Sequence, residues 1–132
     1  MKPEEVKAWF SQMERLGEAD IPYLKVDGEY LTPRQIYQEA LRNSSLWKKI
    51  QEIMGDPPVY ADFDLLKERI LEKYRKGKLL PIATLSGELL TPEKQVEEVK
   101  KGTTTGYMLL LAEAKLLEEL EKKRKGGEIW EK

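Results

Sequence analysis

The chain has 132 residues, 40% of them hydrophobic and 36% charged, with a formal net charge of −1; that is enough length for one domain with a real core, and too much apolar content for a disordered chain. It contains no Cys and no His, which removes disulfide frames, thiolate zinc sites and thiol nucleophiles, together with the commonest general base and metal ligand. A net charge so close to zero sets up no long-range field toward nucleic acid or an anionic membrane.

The longest apolar run, Tyr107 to Ala112, falls far short of the ~20 residues of a membrane span. Met1-Lys2-Pro3-Glu4-Glu5 leads into no signal-peptide core, so a cytoplasmic location is expected. Abundant Lys and Glu, a single Asn (Asn43) and no Cys resemble the composition of proteins from hot environments.

In chain order, Pro3 to Leu16 reads as an amphipathic helix, with Val6, Trp9, Phe10, Met13 and Leu16 on one stripe. Pro3 suits its first turn, and Gly17 is a natural residue just past its end. Asp27-Gly28 between Tyr23–Val26 and Glu29–Leu31 is a strong two-residue hairpin signal. Pairing across it places Leu24, Val26, Glu29 and Leu31 on one face, with Tyr23, Lys25 and Tyr30 on the other. Thr32 then caps a helix whose first residue is Pro33, and Gln35 completes a capping box. Asn43-Ser44-Ser45 ends that helix and caps the next, which carries Leu46, Trp47, Ile50, Ile53 and Met54. Gly55-Asp56-Pro57-Pro58 is a strong stop, and Asp62 caps a further helix through Phe63, Leu66, Ile70 and Tyr74.

The phrase Val26-Asp27-Gly28-Glu29-Tyr30-Leu31-Thr32-Pro33 returns 59 positions later as Leu85-Ser86-Gly87-Glu88-Leu89-Leu90-Thr91-Pro92. A second hairpin is therefore expected around Ser86-Gly87, pairing Ile82–Leu85 with Glu88–Leu90. A Thr91-capped helix follows to about Gly102, and a last helix runs from about Thr105 to Arg124. Its first two turns are apolar nearly all round, so it is either a central core helix or partly an interface. Gly126-Gly127 precedes Ile129-Trp130, expected to dock back on the core.

The expected fold is α+β and predominantly helical: one domain, residues 1–132, made of an N-terminal helix (1–17), two hairpin–helix–helix units (21–76 and 82–125) and a C-terminal tail (126–132). The two hairpins are expected to share one small antiparallel sheet, because an isolated hairpin is barely stable.

Several stretches carry candidate chemistry. Gly102-Thr103-Thr104-Thr105-Gly106 offers backbone N–H groups and hydroxyls to a phosphate, but lacks the Walker lysine, and its counterpart Asn43-Ser44-Ser45 reads as plain capping. Asp62, Asp64, Glu68 and Glu72 offer oxygen ligands without the spacing of a calcium loop. Glu29 and Glu88 recur in identical settings and would form a carboxylate pair if the fold brought them together. Ordinary structural roles account for all three, so neither metal nor cofactor is expected.

The expected function is a non-enzymatic protein–protein interaction or assembly role, with a protein partner or a second copy in a homodimer. The interface would draw on Trp9, Phe10, Met108, Leu109, Leu110, Leu117 and Trp130, which together are much apolar surface for few elements to cover. The alternative is a nucleic-acid-binding regulator using basic clusters at helix ends: Lys73, Arg75 and Lys76, then Lys122, Lys123, Arg124 and Lys125. The dipole of each helix is a sufficient local reason for those clusters.

Overall fold

The computed structural model describes residues 2–54 and 58–125. The elements follow in the order α1 (Pro3–Arg15), β1 (Leu24–Val26), β2 (Glu29–Leu31), α2 (Pro33–Arg42), α3 (Ser45–Ile53), a 3-10 turn (Val59–Ala61), α4 (Phe63–Arg75), β3 (Ile82–Ala83), β4 (Leu89–Leu90), α5 (Pro92–Lys101) and α6 (Thr104–Lys125). The protein is thus mostly helical, with two small antiparallel hairpins.

Local chemistry sets most boundaries. The Thr32 hydroxyl accepts from the Gln35 N–H at 3.2 Å while the Gln35 side chain accepts from the Thr32 N–H at 2.9 Å, a complete capping box. Thr91 caps α5 by accepting from the Lys94 N–H, Ser44 caps α3 by accepting from the Trp47 N–H, and Asp62 caps α4 through the N–H groups of Asp64 and Leu65. Asn43 and Gly102 close α2 and α5 in the left-handed region, at φ 49° and 69°. The order helix, hairpin, helix, helix occurs twice. The likeness extends to the leading helices: α1 and α4 each have 13 residues and each ends in the same bond, Glu18 N–H to the Met13 carbonyl and Lys78 N–H to the Lys73 carbonyl, both 2.8 Å.

The hairpins themselves differ. In the first, Leu24 pairs with Leu31 and Val26 with Glu29, leaving Asp27 and Gly28 (φ 50° and 82°) as a two-residue loop with both central residues left-handed. In the second, Ile82 pairs with Leu90 and Ala83 with Leu89, a register offset by one residue from the first. The Thr84 carbonyl accepts from the Gly87 N–H at 3.0 Å and the Thr84 N–H donates to the Glu88 carbonyl at 2.8 Å. Only Gly87 in this loop has positive φ. The two-residue turn expected at Ser86-Gly87 is therefore a three-residue loop, Leu85-Ser86-Gly87, with shorter strands than expected. Aspartate tolerates the left-handed conformation through local hydrogen bonds, and serine has less reason to adopt it.

The hairpins also form two separate two-stranded sheets rather than one. The first turns Leu24, Val26 and Leu31 into the core. The second has strands of two residues, too short to extend a ladder to a neighbour, and is held to α5 instead: buried Gln95 donates from Nε2 to the carbonyls of Leu80 (2.8 Å) and Leu90 (3.1 Å). Tyr23, expected beside Lys25 and Tyr30, instead turns inward. Its ring meets Trp9 edge-on at 5.3 Å, while its N–H still donates to the Leu31 carbonyl of β2 at 2.8 Å.

The core draws on α1 (Val6, Trp9, Met13), Ile36 of α2, Ile50 of α3, α4 (Leu65, Leu66, Ile70) and α6 (Leu110, Leu117, Leu120). A charged cluster lies within it. Arg69 of α4 is fully buried and donates from Nε to Glu113 of α6 (2.9 Å), from Nη1 to the Pro22 carbonyl (2.8 Å) and from Nη2 to Glu18. Lys73 lies 2.7 Å from Glu113 and 3.4 Å from Glu18. Burial pushes the Glu18 carboxyl upward, but Arg69 and Lys73 more than offset this and hold it below its ordinary range. We predict that Arg69→Ala, which leaves two buried carboxylates with one cation between them, costs about 3–5 kcal/mol in urea unfolding; a loss below 1 kcal/mol would show that the cluster is slack.

Gly106 sits buried where α6 crosses α5. A Cβ there would lie 2.2 Å from the Glu98 carbonyl oxygen and 3.0 Å from the Val99 Cα, both backbone atoms that can move only if the helices part. Gly106→Ala should therefore lower stability by about 1–3 kcal/mol, despite alanine's better helix propensity. A stabilised variant in the same denaturation assay would contradict that close approach.

Candidate functional site

The residues expected to form an interface divide sharply. Trp9, Phe10, Leu110 and Leu117 are buried within one chain, Leu109 is half-buried against the same core, and Met108 is exposed. Trp130 lies outside the described residues. The helix expected to be apolar all round is α6, and it is covered on one side only. Gly106, Leu110, Leu117, Leu120, Glu121 and Arg124 face inward, while Tyr107 (51% exposed), Met108 (59%), Leu111 and Leu116 face out. Tyr107 stacks on the exposed Phe63 of α4 at 5.8 Å between ring centroids, which extends this apolar strip across two helices.

A second apolar surface lies outside the residues expected to form the interface. On the β3–β4 hairpin, Leu80 is 74% exposed, Leu89 58% and Leu85 fully exposed, with Ile82 also open to solvent; Leu90 alone is buried. Val26, the residue matching Leu85 in the repeated phrase, is buried. The one-residue change of register accounts for the contrast: it moves Leu85 out of the strand and onto the loop. The hint available in the sequence was Ser86 standing in place of Asp27. Between the last turn of α4 and the outer face of α5 runs a groove of about 430 Å³ lined by Tyr74, Glu93, Val96, Glu97, Lys100 and Lys101. A third apolar depression, about 480 Å³, lies between α1, α2 and α3 around Val6, Tyr37, Leu41 and Trp47.

The basic clusters are largely engaged with carboxylates. Lys73 belongs to the buried cluster. Arg75 pairs with Glu68 at 3.0 Å and Glu72 at 2.9 Å, and Lys76 with Glu72 at 3.6 Å. Lys122 pairs with Glu118 at 3.2 Å. Arg124 is buried, its Nε 2.5 Å from Glu121, whose carboxylate also accepts from the Tyr23 hydroxyl at 2.5 Å. Burial, reinforced by the Glu121 charge, drives the Tyr23 hydroxyl well above its ordinary pKa. Burial alone would lower the Arg124 guanidinium, and Glu121 reverses the sign and holds it above its ordinary value. Lys123 is exposed, and the side chain of Lys125 lies outside the described part.

The remaining candidates occupy structural positions. In the Gly102–Gly106 stretch, the Thr103 hydroxyl accepts from the Gly106 N–H at 3.1 Å and donates to the Glu98 carboxylate, so this hydroxyl joins α5 to α6. Asp62 is spent on capping α4. Glu29 and Glu88 are exposed on separate hairpins, Glu88 lying 3.7 Å from Lys94. Among the described residues no group of three or more acidic side chains gathers to hold a metal ion, and no helix is long and apolar enough to cross a membrane.

The sequence matches no protein-family model, and no curated protein or solved structure matches it. Surface chemistry alone therefore carries the functional reading. Leu117→Ala, opening the core, should cost about 2–5 kcal/mol, whereas Leu85→Ser should change stability by no more than about 0.5 kcal/mol. Equal losses in thermal or denaturant unfolding would mean that the hairpin tip is covered within the chain after all.

Proposed function

We propose that this protein is a non-enzymatic interaction or assembly protein that works through apolar surface, with a protein partner or a second copy of itself. The observation supporting this most directly is the bare hairpin: Leu80, Ile82, Leu85 and Leu89 lie in the open while the matching hairpin of the same chain is folded into the core. Tyr107, Met108 and Leu111 on α6 add a separate apolar strip in the open, and large exposed apolar patches commonly mark interaction sites. The reading includes one domain across residues 1–132, arisen by duplication of a helix–hairpin–helix–helix unit, and an address in the cytoplasm. A nucleic-acid role has less support, since Lys73, Arg75, Lys76, Lys122 and Arg124 all have carboxylate partners.

The test is light scattering across a size-exclusion peak, with absorbance at 260 and 280 nm, on protein purified from its host. We expect a mass above that of one chain and a protein-only spectrum. The variant Leu85→Glu/Leu89→Glu/Met108→Glu/Leu111→Glu should run as a monomer with an unchanged melting temperature. A wild type that runs at the mass of one chain would rule out the second copy, one that also carries no other protein in its peak would overturn the reading, and a 260 nm signal stripped by salt would put nucleic acid in its place.

A further inference from the structure

We propose that the groove between α1, α2 and α3 seats Ile129-Trp130 of the same chain. Residues 126–132, which follow α6 and lie outside the described structure, read Gly126-Gly127-Glu128-Ile129-Trp130-Glu131-Lys132. The groove, about 480 Å³, is walled by Val6, Tyr37, Leu41 and Trp47, with the amides of Asn43 and Gln51 at its polar points. No charged side chain among the described residues lines it, and Leu41 is left 66% exposed. The other hollows suit an Ile-Trp pair less well. The groove between α4 and α5 is walled by Glu93, Glu97, Lys100 and Lys101. The hollow between Leu24, Ile53 and Val59 is about 90 Å³, far below the roughly 300 Å³ at which ligand-sized pockets begin.

The end of α6 is aimed at this groove. Arg69 holds Glu113 of α6 beside Glu18, just past the end of α1. Further along α6, Glu121 accepts from the Tyr23 hydroxyl at 2.5 Å, and the Tyr23 ring meets Trp9, in the middle of α1, at 5.3 Å. α6 therefore runs back along α1, and its last turn heads for the first turn of α1, where Pro3 and Val6 line the groove. One tyrosine ring and one turn of α1, about 5.4 Å, separate Glu121 from Val6. The stretch from Lys125 to Trp130 covers at most about 17 Å when extended, which is enough. Gly126-Gly127 permits a sharp exit from the helix, and the tether makes docking intramolecular, at high effective concentration. The Asn43 and Gln51 amides offer acceptors for the indole N–H, which a buried Trp needs. A groove filled in this way is withdrawn from partners, and association is left to the second hairpin and the outer strip of α6. The inference does not depend on that interaction reading.

Paramagnetic labelling tests this on the full-length chain. Because the sequence has no Cys, Glu131→Cys carries a single nitroxide, which broadens the NMR signals of nearby backbone amides. Broadening is expected at Val6, Leu41 and Gln51 and not at Leu85 or Lys100, and it should vanish when Trp130→Ala is added. A sample that mixes nitroxide-bearing chains invisible to the NMR experiment with isotope-labelled chains lacking the nitroxide should show none of it. Stability gives a second readout. Trp130→Ala should lower the melting temperature by about 2–4 °C. Leu41→Glu, at a position already open to solvent, should lower it similarly by unseating the indole, and the two together should cost no more than either alone. Broadening that is absent, or centred on another surface, overturns the inference, as do strictly additive losses in the double variant. Groove broadening that appears in the mixed sample also overturns it, and places the indole in the groove of a second copy.

Discussion

The buried guanidinium of Arg69 is the contact on which the rest of the arrangement depends. One side chain of α4 grips the loop after α1 at two points, the Glu18 carboxylate and the Pro22 carbonyl, and α6 at Glu113. A charge removed from water in this way is tolerable only when its donors are satisfied, and here the fork of the guanidinium meets two carboxylates and a backbone oxygen, with Lys73 balancing the second negative charge. Such a cluster is weak evidence for added stability, since well-packed apolar groups can do as well. Its effect is on geometry. Because Pro22 is held, Tyr23 follows it inward against Trp9 and reaches Glu121 with its hydroxyl. Residues 24–31 then leave that anchor already aimed at the core.

The second hairpin shows what happens without such an anchor. Its lead-in is held by Gln95, a neutral amide reaching the Leu80 carbonyl, and nothing buried and charged draws the chain inward. Two similar phrases therefore meet different fates. Asp27-Gly28 closes a tight loop that keeps Val26 in register with the core, whereas Ser86-Gly87 opens to three residues and puts Leu85 in solvent. Because side chains alternate faces along a strand, a one-residue offset is enough to exchange what is buried for what is displayed. The surface most suited to interaction thus follows from a turn, not from any specialised binding motif.

Elements governed by local chemistry were legible in the sequence. The capping Thr-Pro pairs, the Asp62 cap, the first hairpin's turn and the left-handed closure at Gly102 all follow from adjacent residues. What depended on distant partners was not legible. Arg69 lies in a stretch, Lys67-Glu68-Arg69-Ile70-Leu71-Glu72-Lys73, that reads as an exposed charged face, and only the approach of Glu18 and Glu113, far away in sequence, makes it a core residue. The apolar start of α6 had the opposite ambiguity: periodicity could not say which side would be covered, so Leu110 and Leu117 looked as available as Met108. The basic runs near Arg75 and Lys122 were visible as charge, but their partners, Glu68, Glu72 and Glu118, decide how much of it faces outward.

Charge in this protein divides by burial. In the interior, Glu18, Arg69, Lys73, Glu113, Glu121 and Arg124 form closed groups whose members cannot be exchanged without stranding a partner away from water, so they fix one arrangement of the helices. On the outside, pairs such as Glu97–Lys101 are exposed and screened by solvent, so each contributes little. Outer pairs of that strength can trade partners with little effect on the fold. Changes on the outer face of α5 therefore leave the Arg69 cluster untouched, and the cluster constrains α5 only through the packing of α4 and α6. The bare hairpin and these weakly committed charges can therefore change while the core that presents them stays the same.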